Sequence, residues 1–372
     1  MSELASLKAF ARATPHLHLP LSWYFDPKIA EMEQKLLFDR GPGYVGHEAM
    51  IPNPGEYRVL EWRNGGAWTL VNNDGEPGML SNVCRHRQAL MLKGHGSLPG
   101  GTITCPVHRW AYDAGGKHIG APHFDEHPCL DLPRRKLQKW HGMLFNGPRD
   151  IAKDLSGMLA GQELDFEGYV LDKVDVVEYD FNWKTFIEVY LEDYHVEPYH
   201  PGLGHFVTCD DLRWEYGDWW SVQTVGVREN LKNPGSAVYQ KWHEQVLKFR
   251  NGEPPPHGAI WLTYYPNVMV EWYPHVLVIS TLYPRGPEKC TNVVEFYYPE
   301  EIALFEREFV EAEQKAYHET AVEDEDICMR MTAGRRALVA EGREEHGPYQ
   351  SPYEDGMAHF HEFIRRELGH IL

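Results

Sequence analysis

Four potential metal ligands stand in two short groups in the first third of the chain. Cys84-Arg85-His86 is the first group, and Cys105-Pro106-Val107-His108 begins nineteen positions after His86. Each group supplies one thiolate and one imidazole, which suits a [2Fe–2S] cluster of the Rieske type, with two cysteines on one iron and two histidines on the other. A Cys₂His₂ zinc site uses the same donors, but zinc fingers pair cysteine with cysteine and histidine with histidine. The spacing therefore favours the cluster.

A second group of candidate ligands lies in residues 192–200, E-D-Y-H-V-E-P-Y-H. We expect a helix that begins at the N-cap Asn182 and carries Glu192 and His195 on one face. Pro198 should end this helix and turn His200 back towards His195. Two imidazoles and one carboxylate form the facial triad that holds Fe(II) and leaves positions open for O₂ and substrate. Ordinary surface histidines are the alternative, because the chain contains 21 histidines.

The residues around both groups resemble the catalytic (alpha) subunits of Rieske non-haem iron oxygenases. The first region matches C-x-H-R and C-P-x-H-x-W, and Tyr112 stands where an aromatic residue of the family can donate to a cluster sulfur. Gln88 and Arg109 depart from the small, glycine-like residues of the family. Residues 192–200 match D/E-x-x-H-x₄-H, after a family-like N-W-K at 182–184. The resemblance implies a cluster bound by Cys84, His86, Cys105 and His108, and a catalytic iron bound by His195 and His200.

The third iron ligand is implied by a later pattern of the family, E-D-x-x-[IL]-C-E-x-[VM]-Q-x-G. Residues 323–334, E-D-E-D-I-C-M-R-M-T-A-G, match it in register and make Asp324 the ligand. Met329 and Thr332 depart from the pattern, and Asp326 is the nearest rival. Glu192 takes the place of an acid that, in the family, bridges a cluster histidine of one subunit to an iron histidine of the next. A Glu there is similar to the homotrimeric branch with carnitine and glycine-betaine oxygenases.

The resemblance implies a terminal oxygenase, a mono- or dioxygenase that hydroxylates or oxidatively demethylates a small organic substrate with O₂. Electrons would come from a separate NAD(P)H-dependent reductase or ferredoxin and would cross between the subunits of a head-to-tail homotrimer. A Rieske-type electron carrier and a redox sensor remain alternatives, each with about two irons per chain, where the oxygenase would hold about three. Aromatic residues on predicted strands should wall a pocket for a quaternary ammonium or an aromatic ring. They are Trp219, Trp220, Tyr264, Tyr265, Trp272 and Tyr273.

A chain of 372 residues is long enough for two domains. Short strands and glycine-rich turns predict an all-β Rieske domain over residues 44–148. Longer helices between strands predict an α+β catalytic domain from residues 1–43 and 149–372, which the resemblance makes an antiparallel sheet with helices of the helix-grip (START-like) kind. We expect a loop or lid at 228–258, a strand pair at 261–283, and a helical region from Pro299 to about Ala340 that breaks near 323–326.

The charge and the cysteine content exclude some classes of function. A net charge of −19 argues against binding to nucleic acids or anionic membranes. Six cysteines are too few for a disulfide framework, so those outside the cluster should be reduced thiols. Residues 1–15 contain no apolar run of signal-peptide length, and the apolar stretch 261–280 is interrupted by prolines and polar residues. We expect a cytoplasmic protein without a membrane span.

Overall fold

The computed structural model describes residues 18–162 and 164–369. The chain divides into two compact units: Pro42–Ala152, and a second unit made of the residues up to Gly41 together with those from Lys153 onward. Residues 1–15, for which we predict no signal peptide, lie outside the described residues.

The unit Pro42–Ala152 is built from short antiparallel strands. They are β1 (Tyr44–His47), β2 (Glu56–Val59), β3 (Trp68–Asn73), β4 (Glu76–Ser81), β5 (His95–Ser97), β6 (Thr102–Thr104), β7 (Ala111–Asp113), β8 (His118–Gly120), β9 (Arg134–Arg135), β10 (Gln138–Trp140) and β11 (Met143–Phe145). They form three sheets, with orders β1-β11-β10, β5-β2-β3-β4-β9 and β6-β7-β8. One of the two cysteine–histidine loops follows β4, and the other joins β6 to β7.

The second unit contains a seven-stranded antiparallel sheet with the order β12-β18-β17-β16-β15-β14-β13. Its strands are β12 (Tyr169–Tyr179), β13 (Val207–Gly217), β14 (Trp220–Val227), β15 (Ala259–Tyr264), β16 (Val268–Tyr273), β17 (Val276–Pro284) and β18 (Cys290–Pro299). The region 261–283, predicted as a strand pair, therefore holds three strands. The extra turn at Pro274–His275 lets β17 pair with β16, and Tyr273 lies opposite Val276.

The helices of the described chain are α1 (Pro27–Glu33), α2 (Ile151–Asp154), α3 (Trp183–Tyr190), α4 (Val196–Tyr199), α5 (Leu203–Phe206), α6 (Ala237–Phe249), α7 (Glu300–Phe305), α8 (Arg307–Ala340) and α9 (Asp355–Leu368). Helix α8, 34 residues long, contacts both α3 and α6. Apolar side chains of α6, α8 and the sheet form a shared core. Within residues 18–162 and 164–369, no helix has the length and apolar character needed to cross a membrane.

The start of helix α3 is bonded to helix α1, which precedes Pro42 in the sequence. Asn182 caps the helix by accepting a hydrogen bond from the Lys184 backbone N–H at 2.9 Å. The buried Lys184 ammonium forms an ion pair with Glu33 of α1, and Trp183 Nε1 donates to the same carboxylate at 2.8 Å. Because a buried charge is costly without a partner, Glu33 is needed to hold Lys184 inside the unit. The residues 182–184 thus tie α3 to α1.

Three predictions about helices are wrong. The segment 228–258 contains α6, because Ser236 caps the helix and Tyr239, Trp242 and Val246 form a buried apolar stripe. Helix α8 continues through residues 323–326, and the break lies instead at Glu306, between α7 and α8.

The third error concerns the helix after Asn182. Helix α3 ends at Tyr190, and Pro198 lies inside the separate helix α4 instead of ending a helix. Pro198 is in the first turn of α4, where its missing N–H removes no helical hydrogen bond. The short helix α4, not a proline break, separates His195 from His200.

Candidate metal centres and substrate cavity

The two cysteine–histidine groups lie on loops with matching backbone geometry. In each loop the cysteine N–H donates to a carbonyl five residues later at 2.8 Å. In each loop a residue four positions after the cysteine, Gln88 or Arg109, donates back to the cysteine carbonyl at 3.1 Å. Gln88 has φ of 56° and Arg109 has φ of 60°, the left-handed conformation that glycine adopts most easily. This explains why a glycine-like residue suits both positions, and both larger side chains tolerate the strain.

The side chains of the two loops are arranged as a Rieske cluster requires. The thiols of Cys84 and Cys105 are buried, His86 is half-buried and His108 is exposed. The rings of His86 and His108 lie side by side, with centroids 4.6 Å apart. The His86 Nδ1 atom is buried and has no hydrogen-bond partner among the described residues. Two inner thiols and two adjacent outer imidazoles fit a cluster with one iron deep and one near the surface.

Tyr112 lies beside the first cysteine. Its hydroxyl oxygen accepts a hydrogen bond from the Arg85 backbone N–H at 3.1 Å and lies 3.7 Å from Cys84 Sγ. Burial raises the pKa of the Tyr112 phenol, so that it keeps its proton. With the oxygen already accepting from Arg85, the phenol proton is free to point at the Cys84 sulfur, as we expected.

His195, His200 and Asp324 come together at one point in the second unit. One ligand atom of each lies within 4.8 Å of the others. The Nε2 atoms of the two histidines are 3.0 Å apart, and Asp324 Oδ1 lies 3.5 Å from that of His195 and 3.1 Å from that of His200. His195 precedes α4, His200 follows it, and Asp324 projects from α8. The short helix α4 and helix α8, far apart in the sequence, thus bring the three side chains together.

A second carboxylate stands behind each imidazole. Glu192 Oε1 is 2.5 Å from His195 Nδ1, and Glu323 Oε2 is 2.7 Å from His200 Nδ1. A carboxylate at Nδ1 holds the proton there and directs the lone pair of Nε2 forward. Both Nε2 atoms then face the buried Asp324 Oδ1, which has no donor of its own among the described residues. A divalent cation that displaces the protons on Nε2 would have three acceptors directed at one point.

The electrostatics of this point also favour a cation. Burial lowers the pKa of His195, but the carboxylates of Asp324 and Glu192 outweigh burial and raise it to about 10. The pKa of His200 is likewise raised by Asp324 and Glu323 against the effect of burial. The site therefore carries an excess of negative charge, which a metal ion would neutralise.

Asp326 is not part of the group that His195, His200 and Asp324 form, whereas Glu323 contacts that group, which the sequence did not predict. Asp326, the rival of Asp324, is exposed and accepts hydrogen bonds from Arg330 Nε at 2.6 Å and from the Tyr199 hydroxyl. Glu323 was only part of a matching pattern, yet it contacts His200. A run of four acids gives no signal for which one faces inward, because that depends on how α8 is rotated against its neighbours.

A cavity of about 210 Å³ opens beside the triad and lies wholly within the second unit. Its walls are largely apolar and aromatic, and include Phe206, Trp242, Trp261, Val294 and Phe296. Among the described residues, the lining also contains one lysine, Lys173, and seven carboxylates. The carboxylates are Asp175, Glu192, Asp193, Glu271, Glu313, Asp324 and Glu325. The lysine is already paired, since Lys173 Nζ lies 2.7 Å from Asp175. This cavity suits a cation.

Two of these acids are buried away from the triad. Glu271 accepts hydrogen bonds from the hydroxyls of Tyr273 at 2.9 Å and Tyr317 at 3.2 Å. Burial raises the pKa of Glu271 to about 7, although both phenols act to lower it. Burial likewise raises the pKa of Glu313 to about 8, and Tyr298 donates to that carboxylate. Neither acid was identified from the sequence, since an isolated Glu on a strand or helix carries no local signal.

Only one of the six aromatic residues expected in the pocket lines this cavity. That residue is Tyr273, whereas Tyr265 packs on Phe363 and the Trp220 and Tyr264 side chains bond to Asp154. Successive side chains of a strand point to opposite faces. Trp261, Glu271 and Tyr273 share the cavity face of β15 and β16, so their neighbours must point to the other face.

Comparison with known proteins gives consistent matches over the chain. A model of the Rieske [2Fe-2S] domain matches residues 43–136, and a model of the ring hydroxylating alpha subunit (catalytic domain) matches residues 166–370. Putrescine 2-hydroxylase of Ralstonia nicotianae is 60% identical over 350 residues, which cover 94% of this chain and 95% of that protein. Putrescine 2-hydroxylase of Bordetella bronchiseptica is 56% identical over 364 residues, covering 94% and 84%.

The fold is also shared with solved structures. A quaternary ammonium Rieske monooxygenase, studied for carnitine oxidation by gut microbiota and inter-subunit electron transfer, superimposes with a TM-score of 0.75. The match covers 94% of each chain at 20% identity. This similarity establishes the two-domain fold.

Proposed function

This chain belongs to the ring-hydroxylating alpha subunit family and carries a Rieske [2Fe–2S] domain, and on that premise we propose that it hydroxylates a short aliphatic diamine, putrescine or a close analogue, at carbon 2. Membership of this family makes the chain an oxidoreductase that hydroxylates a small molecule. It is an oxygenase component with a [2Fe–2S] cluster and a mononuclear iron. The diamine is supported by the two relatives above 50% identity, both putrescine 2-hydroxylases. The catalytic-domain match also argues against a mere electron carrier or redox sensor.

The observation that carries the choice of substrate is the acid content of the cavity. Buried carboxylates in an aromatic enclosure attract a cation and give no stabilisation to a neutral aromatic ring. A primary ammonium also donates three hydrogen bonds, whereas a quaternary ammonium donates none. The seven carboxylates of the lining, Glu271 among them, therefore favour a primary diamine over the aromatic and quaternary ammonium substrates that the sequence left open.

The chain would hold its metals through two sets of residues. Cys84, His86, Cys105 and His108 would bind the cluster, and His195, His200 and Asp324 would bind Fe(II). When bound, these groups supply electron storage and O₂ activation, and the hydroxylation consumes two electrons and two protons and also yields water.

The remaining residues would control geometry and access. Glu192 and Glu323 hold the Nδ1 protons of His195 and His200, so that both imidazoles keep one orientation. The apolar walls keep bulk water from the reacting C–H bond, and the acidic lining of the cavity attracts the ammonium groups. Substrate position is thereby set by the protein before any oxygen chemistry begins.

We further propose that electrons come from a separate NAD(P)H-dependent reductase or ferredoxin and cross between subunits of a homotrimer, with Glu192 at the crossing point. The support is that Glu192 contacts His195 on one side while its side chain is still partly exposed. Sedimentation analysis should give a trimer, and Glu192→Gln should slow reduction of the catalytic site without changing the cluster's visible spectrum.

The test of the substrate uses the enzyme loaded with iron and cluster, a surrogate reductase and NADH. We expect O₂ uptake with putrescine and a product heavier by one oxygen atom, with the hydroxyl on carbon 2 by NMR. The control is His195→Ala, which should lose turnover but keep the cluster spectrum, with iron falling from about three to about two per chain. Oxidation of choline or an aromatic acid, with no product from putrescine, would refute the diamine assignment.

A further inference from the structure

Glu271 occupies a position in the cavity that is unusual for a carboxylate. It lies on the inner face of β16, opposite Trp261 on β15 and Val278 on β17. Its side chain is 4% exposed. Within the described chain its hydrogen-bond partners are the phenols of Tyr273 and Tyr317. Burying a carboxylate this deeply without a cation is costly, so a positive ligand would recover much of that cost.

The groups around Glu271 complete a binding site for an ammonium group. Trp261 Nε1 donates to the Tyr273 hydroxyl at 3.1 Å, and that hydroxyl donates to Glu271, so that the carboxylate is oriented by a chain of hydrogen bonds. The Tyr190 hydroxyl lines the same cavity, is buried, and has no hydrogen-bond partner among the described residues. An ammonium needs several acceptors and gains from aromatic faces. Glu271 and Tyr190 supply the acceptors, and the surrounding rings supply the faces.

Asp193 is buried beside the triad, two residues before His195, whereas Glu313 is the second acid buried away from it. The length of α8 separates Glu313 from the metal site. Glu313 precedes Asp324 by eleven residues, which places their backbones roughly 16 Å apart along the helix. Side chains of a helix lean towards its amino terminus, so the Glu313 side chain leans further from Asp324. The nitrogens of extended putrescine are roughly 6 Å apart, from bond lengths near 1.5 Å. A diamine with one carbon at the metal does not span to Glu313.

Glu271 contacts a part of α8 that is closer to Asp324. It is bonded to Tyr317, which is only seven residues before Asp324 on the same helix, roughly 10 Å along the axis. The charge of Asp324 acts on Glu271, and the charge of Glu271 acts on Glu313. Glu313 lies about one helical turn further from Asp324 than Tyr317 does, so Glu271 is nearer the triad than Glu313 is.

We infer that Glu271 is the specificity-determining residue of the cavity, the anchor that accepts the ammonium group of the diamine away from the metal and so sets which carbon lies at the iron. This inference rests on the proposed function. Glu271 contacts the substrate directly, Tyr273 and Tyr317 hold its carboxylate, and Tyr190 accepts a further ammonium proton. Glu313 serves as a more distant acid and does not contact a four-carbon diamine.

The experiment compares the wild type, Glu271→Gln and Glu313→Gln, each loaded with iron and cluster, with putrescine as the probe. Titration calorimetry under argon gives the dissociation constant without turnover. Loss of one partner of a buried charged hydrogen bond should weaken binding by Glu271→Gln at least about thirtyfold. Glu313→Gln should bind nearly as the wild type does. Putrescine should raise the melting temperature of the wild type and of Glu313→Gln, but not of Glu271→Gln.

The outcomes separate the inference from the proposed function. An unchanged cluster spectrum and an undiminished melting temperature of substrate-free Glu271→Gln would show that the variant is folded. Equal binding by Glu271→Gln and the wild type would overturn the anchor, as would loss of binding in Glu313→Gln alone. In both cases wild-type hydroxylation of putrescine would leave the proposed function standing. A wild type that neither binds nor hydroxylates putrescine would overturn both.

Discussion

Glu271→Gln is expected to make the substrate-free protein more stable at pH 8 and hardly more stable at pH 5. The substitution keeps the shape of the side chain and removes its negative charge. The amide oxygen accepts from one of the two phenols, Tyr273 or Tyr317, and the amide NH2 donates to the oxygen of the other. A residue kept for substrate binding at a cost in stability should behave in this way.

The magnitude follows from the pKa of the carboxyl. Burial raises the pKa of Glu271 from 4.5 to about 7, a difference worth about 3 kcal/mol. The folded protein keeps this proton up to about pH 7, whereas the unfolded chain loses it near pH 4.5. The folded state thus binds more protons between these values, and the free energy of unfolding falls as the pH rises through them. The full cost is present above about pH 7, and the Gln variant escapes it.

Differential scanning fluorimetry at pH 5 and pH 8 measures the effect. For a unit of this size, about 3 kcal/mol corresponds to a melting temperature higher by roughly 6 °C at pH 8. Glu308→Gln, at an exposed position of α8, is the matched control and should change the melting temperature little at either pH. A Gln variant that melts at or below the wild-type temperature at pH 8 would refute the reasoning, because the carboxylate would then be stabilised in the empty cavity.

Three further predictions concern the metal sites and the core. Glu323→Gln should weaken iron binding about 10- to 100-fold, because the His200 imidazole loses the carboxylate that orients it. Iron titration measures this, and Asp326→Asn, at an exposed position, is the control that should bind iron as the wild type does. Equal affinities of Glu323→Gln and the wild type would contradict the prediction. Glu33→Gln leaves the buried Lys184 ammonium without a counter-charge and should cost about 3–5 kcal/mol, seen as a clear drop in melting temperature; no drop would mean that the ion pair contributes nothing. Arg109→Gly relieves a left-handed residue and should stabilise the cluster loop by up to about 1 kcal/mol. More urea should then be needed to bleach the cluster's visible absorption, and earlier bleaching would count against strain at this position.

The chemistry of both metal centres was readable where ligands are close in sequence. The predicted cluster ligands come in pairs on two short loops, so their spacing favours a Rieske cluster. His195 and His200 are also local, although the reason given for their approach was wrong: helix α4, and not a break at Pro198, brings them together. The two histidines were predicted to lie together through an incorrect backbone path, because several turns can join residues five apart.

Patterns of local polarity predicted the wrong structure in two other segments. Prolines, glycines and charges at 228–258 predicted a lid, yet the Ser236 cap and a buried stripe build α6 there. The acids at 323–326 predicted a break in α8, but each finds a place on an uninterrupted helix, with Asp326 paired to Arg330. Local composition indicates which residues are exposed to solvent. Whether a helix forms depends mainly on how its apolar face packs against the sheet.

The sequence by itself determined the two-domain architecture and the class of chemistry, and it predicted the cluster ligands and the iron histidines. These follow from short-range spacing and from resemblance. Only the tertiary structure decided that Glu323 stands behind His200, which aromatic residues wall the cavity, and that Glu271 and Glu313 face into it. Those facts depend on strand register and on the rotation of α8 against the sheet. Both are set by packing between segments far apart in the chain. The residues next to Glu271 or Glu313 in the sequence therefore do not indicate which way its side chain faces.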